Sequence, residues 1–125
     1  MATLVRDIMT PVNKLGFLTP CDTVQKAIDT MEAKNIHCVL ISRASGIYGI
    51  RIFSYYIDLP KFWRSGEDPK RAKLDVYASS IYEVAEPNWT CQELKLNMNS
   101  DHMIVEDNIG NLLGLVSVKD VQDKC

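Results

Sequence analysis

The chain repeats itself, and that narrows its fold more than any other feature. "LTPCDTVQKAIDTM" (Leu18 to Met31) resembles "AEPNWTCQELKLNM" (Ala85 to Met98): Pro20, Thr23, Gln25 and Met31 match Pro87, Thr90, Gln92 and Met98 at a constant offset of 67 positions. Downstream the offset shrinks to 65, so that His37 meets His102 and Gly49 meets Gly114. A duplicated pattern implies two supersecondary units of one kind. Repeat 1 covers residues 1–62, a connector 63–75, and repeat 2 residues 76–125.

Each copy follows the same local pattern. In the first, Leu15 to Leu18 reads as a short strand. Asp22 or Thr23 can cap a helix, because a side-chain oxygen there accepts an otherwise unpaired backbone N–H. Val24, Ala27, Ile28 and Met31 then recur at helical spacing. "HCVLI", His37 to Ile41, is a continuous apolar run of the kind a strand buried on both faces needs. "SRASG" is a turn, Ile47 to Phe53 returns as a strand, and a helix follows from Ser54 or Tyr55. In the second copy the strand is Ile81 to Val84. The helix begins near Thr90, with Leu94 and Met98 on its inner face. The next strands are His102 to Glu106 and Leu112 to Val116, joined by "DNIGN", whose glycine and asparagines tolerate positive φ. A closing helix begins at Ser117 or Val118. The connector holds Gly66, Pro69, Lys70, Arg71 and Lys73, the composition of a solvated linker, with a binding patch at Lys70, Arg71 and Lys73 as the alternative.

Composition excludes several classes. At 125 residues the chain has the size of one ordinary domain, able to bury a core without staples. A net charge of -2 does not suit general nucleic-acid binding, which needs a basic face. No apolar run approaches the roughly 18 residues of a membrane span, and "MATLVRDIMTP" has no long apolar signal core. The expected location is cytoplasmic. The four cysteines, Cys21, Cys38, Cys91 and Cys125, have neither zinc-site nor dense-disulfide spacing. Free thiols in a reducing compartment are expected, with Cys38 in the core. Two histidines and the lack of G-x-S-x-G, a Walker lysine or paired metal ligands leave no catalytic constellation, so the chain is not expected to be an enzyme.

Strand, helix, strand, strand, helix, written twice, resembles the CBS domain pair, also called a Bateman module. The resemblance covers nearly the whole chain. It is anchored by "RDIMTP" (Arg6 to Pro11), similar to that family's opening segment, and by "GLVSVKD" (Gly114 to Asp120), which matches G-[IVL]-V-[ST]-x-x-D at every fixed position. It implies a mixed α/β fold of two tandem β-α-β-β-α repeats packed about a pseudo-twofold axis. It also implies clefts that hold AMP, ADP, ATP or S-adenosylmethionine, and a sensory module that acts on a regulated partner protein and pairs into a homodimer.

The physical chemistry of "GLVSVKD" agrees with that implication. Where a strand gives way to a helix, unpaired backbone N–H groups attract anions. Ser117 sits there as cap and phosphate donor, and Asp120, one turn later, can accept from two vicinal ribose hydroxyls. The family's phosphate and ribose roles carry over to Ser117 and Asp120 only. The bland alternative is that Ser117 merely caps and Asp120 merely favours the helix start. By position, Ser80, Ile81, Tyr82, His102 and Met103 would line the adenine. Each is equally an ordinary buried residue. Lys119 is placed to approach phosphates, or is simply solvated.

The first copy departs from the motif. "GIRIFSYYID" puts Ile52 where the hydroxyl belongs and Tyr55 where the carboxylate belongs, while Ser54 and Asp58 are four residues apart instead of three. Its cleft is expected to be empty, blocked by Tyr55 or Tyr56, or given to another ligand. Arg51 interrupts the strand, pointing either at a ligand phosphate or across a dimer contact. The chain thus reads as an adenine-nucleotide sensor with one competent site. The rival is a ligand-free dimerisation or scaffolding domain.

Overall fold

The computed structural model describes residues 2–41, 51–81 and 83–125. The turn expected from Ser42, most of the run from Ile47, and Tyr82 lie outside the described residues. The chain divides into two compact units, one of residues 15–80 and one of residues 1–14 with 81–125.

In the unit of residues 15–80, a strand at Gly16–Leu18 leads into a helix at Val24–Lys34. Thr23 caps this helix, its hydroxyl accepting from the Lys26 N–H at 3.2 Å. Val24, Ala27, Ile28 and Met31 are buried at the predicted helical spacing. The helix ends at Asn35 in the left-handed conformation, φ 53°. A fully buried strand at Cys38–Ile41, a strand at Arg51–Ser54, a helix at Asp58–Ser65, a short helix at Leu74–Tyr77 and a strand at Ser79–Ser80 follow. Val24, Met31, Val39, Phe53, Phe62 and Leu74 are among the residues of its core.

In the other unit a short helix at Val5–Ile8, a strand at Thr10–Pro11 and a 3-10 turn at Val12–Lys14 come from the start of the chain. A strand at Val84–Ala85, a helix at Cys91–Asn97, strands at His102–Glu106 and Leu112–Ser117, and a helix at Val118–Lys124 complete it. In chain order the helices are α1 (Val5–Ile8), α2 (Val24–Lys34), α3 (Asp58–Ser65), α4 (Leu74–Tyr77), α5 (Cys91–Asn97) and α6 (Val118–Lys124). The strands are β1 (Thr10–Pro11), β2 (Gly16–Leu18), β3 (Cys38–Ile41), β4 (Arg51–Ser54), β5 (Ser79–Ser80), β6 (Val84–Ala85), β7 (His102–Glu106) and β8 (Leu112–Ser117).

The two sheets have one plan. One runs β2-β3-β4-β5 and the other β6-β7-β8-β1, each with one parallel pair followed by antiparallel pairs. Their outer strands are supplied alike: α4 and β5 lead onto β4, as α1 and β1 lead onto β8. The segment "RDIMTP", assigned to the first repeat by sequence order, therefore packs with the second. Val5 and Arg6 donate their N–H groups to the Trp89 and Pro87 carbonyls at 2.8 and 3.1 Å. The expected connector is largely exposed, but its tail is anchored. Leu74 is fully buried, and Val24, Gln25 and Leu74 donate N–H groups to the carbonyls of Ala72, Pro69 and Asp22. A charged composition hid one apolar anchor and a set of backbone hydrogen bonds.

The cysteines differ from expectation. Cys91, which opens α5, and Cys125, which follows α6, are joined in a disulfide with Cα atoms 5.9 Å apart. Spacing cannot reveal a pair 34 residues apart. Cys21 is exposed, and Cys38 is buried as expected. Among the described residues, no helix is long and apolar enough to cross a membrane.

Candidate functional site

The site begins where β8 becomes α6. Ser117 ends the strand in an extended conformation (φ -123°), opposite His102 across the β7–β8 ladder. Its hydroxyl accepts from the Asp120 N–H at 3.2 Å. The Asp120 carboxylate answers through Oδ2, accepting from the Ser117 N–H at 2.9 Å and from the Ser117 hydroxyl at 3.0 Å. This is a reciprocal capping box, made here with Asp in place of the commoner Glu or Gln. Both residues are nearly fully buried, Ser117 at 4% exposure and Asp120 at 5%. The second oxygen, Oδ1, faces the Lys124 ammonium at 3.4 Å, and that ammonium also donates to the Ile8 carbonyl at 3.2 Å. The Val118 N–H is already committed to the Asp101 carbonyl at 2.9 Å.

The remaining expected residues divide. His102 is buried beside Ser117 on the paired strand. Met103, on the alternate face of β7, is 2% exposed and packs in the core with Val5, Ile8 and Val116. Lys119 is half exposed and forms an ion pair with Asp123 at 3.4 Å. Ile81 is partly buried. Ser80 belongs to the other unit, exposed on β5 opposite Arg51. Tyr82 lies outside the described residues.

The first copy carries the same device. Strand register places Ser54 opposite Cys38, as it places Ser117 opposite His102, so Ser54 and not Ile52 holds the hydroxyl position. Asp58 Oδ2 accepts from the Ser54 N–H at 2.8 Å and from the Ser54 hydroxyl at 3.0 Å, and the Asp58 N–H donates to Ser54 Oγ at 3.2 Å. The extra residue is absorbed between Ser54 and Asp58, where Tyr55 and Tyr56 are exposed in a turn before α3. The expectation of missing hooks in this copy is thus overturned. The signal was present: "IFS" aligns with "LVS" once one residue is allowed before the aspartate. The copies still differ, because Asp58 Oδ1 accepts from the Ser79 hydroxyl at 2.6 Å. Arg51 is engaged within its own unit. It donates to Asp75 Oδ1 at 2.5 Å and to the Ala78 carbonyl at 2.7 Å, fastening α4 and β5 to β4.

Comparison with solved structures follows this architecture closely. A CBS-domain-containing protein of Agrobacterium tumefaciens superposes with a TM-score of 0.75 at 26% identity, over 98% of this chain and 92% of that one. The chain has the fold of CBS-domain proteins. A protein of Burkholderia ambifaria described as a signal-transduction protein with CBS domains gives a TM-score of 0.75 at 24% identity, covering 98% of this chain and 97% of its own. A hexameric CBS-CP12 protein from bloom-forming cyanobacteria gives 0.79 at 20% identity, over 99% of this chain and 68% of that one. No protein-family model and no curated protein matches the sequence. The likeness to CBS-domain proteins therefore rests on the fold.

Proposed function

We propose that this CBS-domain protein is a regulatory module that binds an adenosine-type ligand, AMP, ADP, ATP or S-adenosylmethionine, and signals its presence to a partner protein. The observation that carries this is the buried Ser117–Asp120 pair, set at a helix start within an intact "GLVSVKD". A helix start favours a phosphate, here beside Val118 and Asp120 N–H groups already paired with Asp101 and Ser117, and Asp120 Oδ1, which among the described residues is held by a long contact to Lys124, is suited to accept ribose hydroxyls. Lys119 and His102, beside the pair in sequence and across the strand ladder, are the next residues we assign to the ligand. Calorimetric titration with AMP, ADP, ATP, S-adenosylmethionine and NADH tests the proposal. Saturable binding of an adenosine compound supports it, and a flat response to all five removes it.

A ligand-free scaffolding domain is the second reading, favoured by one observation: both aspartates already serve as helix caps through Oδ2. On either reading we propose a homodimer, isologous pairing being the commonest closure. Light scattering that finds a monomer at micromolar concentration, with and without nucleotide, removes that claim.

A further inference from the structure

We propose that the Cys91–Cys125 disulfide is a redox clamp on α6: reduction by a dithiol frees the end of this helix and leaves the rest of its unit folded. The first part of the argument is what holds each helix. Cys91 sits at the well-anchored start of α5, where Thr90 and Glu93 form a capping box, the Cys91 N–H donates to the Thr3 carbonyl at 3.1 Å, and Leu94 is fully buried. By contrast, α6 over Val118–Lys124 has Asp120 as its one buried side chain. Beyond its Ser117 cap it is held by packing of Val121 against the core, by the Lys124 contact to Ile8, and by the disulfide at its far end.

The second part is where the bond lies. Cys125 is exposed and Cys91 only partly buried, so the bond is open to attack. Cys91 packs against the edge of the core of Val5, Ile8, Ala85, Leu94, Met103, Val105 and Val116 without being one of its buried members, and Cys125 takes no part in it, so cutting the bond removes no buried core side chain. Reaction follows ordinary thiol–disulfide exchange. A thiolate of the dithiol attacks Sγ of Cys125, the sulfur–sulfur bond breaks, and its electron pair leaves on Sγ of Cys91, which takes a proton from solvent. The second thiol of the reagent then displaces Cys125, yielding two protein thiols and one cyclic reagent disulfide. The two other cysteines lie in the other unit and are not joined by a disulfide.

The inference needs no ligand and stands apart from nucleotide binding. Its test is amide hydrogen exchange read by mass spectrometry on the full chain, after mild oxidation and after dithiothreitol, with Cys91→Ser as a permanently open form. In the reduced protein the α6 amides should exchange roughly tenfold faster or more, as for a locally released element, while those of β7 and β8 keep their protection. Cys91→Ser should show the open pattern without reagent and gain nothing from dithiothreitol. Unchanged α6 exchange on full reduction overturns the clamp. So does loss of protection spread through β7 and β8, which would make the bond a staple of the whole unit. Four free thiols in the oxidised protein would overturn it as well.

Discussion

Gly114 shows at the residue scale how one side chain can be forbidden by a neighbouring backbone. A Cβ there would lie 2.4 Å from the Thr10 carbonyl oxygen, because β1 pairs directly over it, Pro11 against Gly114. Gly114→Ala should therefore destabilise the protein by about 1–3 kcal/mol, the usual cost of overpacking, read as a lower urea midpoint with an unchanged slope. The same register position in the other unit holds Arg51, which faces Ser80 and uses its length to bind Asp75 and Ala78. Asp120 carries the functional prediction. Asp120→Ala should weaken nucleotide binding by about 1.5–3 kcal/mol, the range for hydrogen bonds to a charged group. It should also lower stability by about 1–3 kcal/mol, since the Ser117 N–H and hydroxyl lose their buried acceptor. Comparing a 2′-deoxy nucleotide on both proteins separates the two effects. Lost ribose recognition abolishes the preference for the ribose form, whereas mere destabilisation leaves it intact.

At the scale of elements, the parts legible in the sequence were those with several residues of periodic pattern. The spacing of Val24, Ala27, Ile28 and Met31 located α2, and the apolar run of His102 to Glu106 coincided with β7. Four-residue helices and two-residue strands hold too few side chains for a period, so α1–β1 and α4–β5 were not recognised as equivalents. Nor was the Ser54–Asp58 cap, because one inserted residue shifts every position after it. Half of the candidate hydroxyl–carboxylate chemistry was therefore visible in the intact heptapeptide, and half only in strand register. The outer strand β5 is fastened in part through Arg51, beside its pairing with β4 and the Ser79–Asp58 hydrogen bond, and that part can be measured. Arg51→Ala removes both donors that fasten α4 and β5. Hydrogen exchange at Ser79 and Ser80 should quicken while β3 amides keep their protection, because Val39 and Ile41 lie in the core and Arg51 does not. Uniform loss of protection in both strands would contradict this.

For the molecule as a whole, pH and stoichiometry are the integrating measurements. Three carboxyls lie below their ordinary range: Asp22 through the Thr19 N–H, Glu83 through the Ser100 hydroxyl, and Asp107 through the Asn111 N–H. A depressed folded-state pKa adds stability that is complete above the unfolded value and is lost as protons bind the native state. Urea midpoints should thus hold steady at neutral pH and fall as pH drops below about 4, where unfolded carboxyls titrate. A midpoint rising into acid would contradict those assignments. Stoichiometry depends on how the two aspartates differ. Asp58 has both oxygens engaged at 3.0 Å or less, Oδ2 by Ser54 and Oδ1 by Ser79, so a ribose there must first break a short buried hydrogen bond. Among the described residues, Asp120 offers Oδ1 against one 3.4 Å contact to a half-exposed lysine, a weak interaction to replace. Titration with the best nucleotide should accordingly saturate at one per chain. Ser79→Ala frees Asp58 Oδ1 without touching the Ser54 cap, and should raise the count towards two. If the parent protein already binds two, the Ser79 hydrogen bond does not close the first site. If Ser79→Ala still binds one, the block lies elsewhere than in that hydrogen bond.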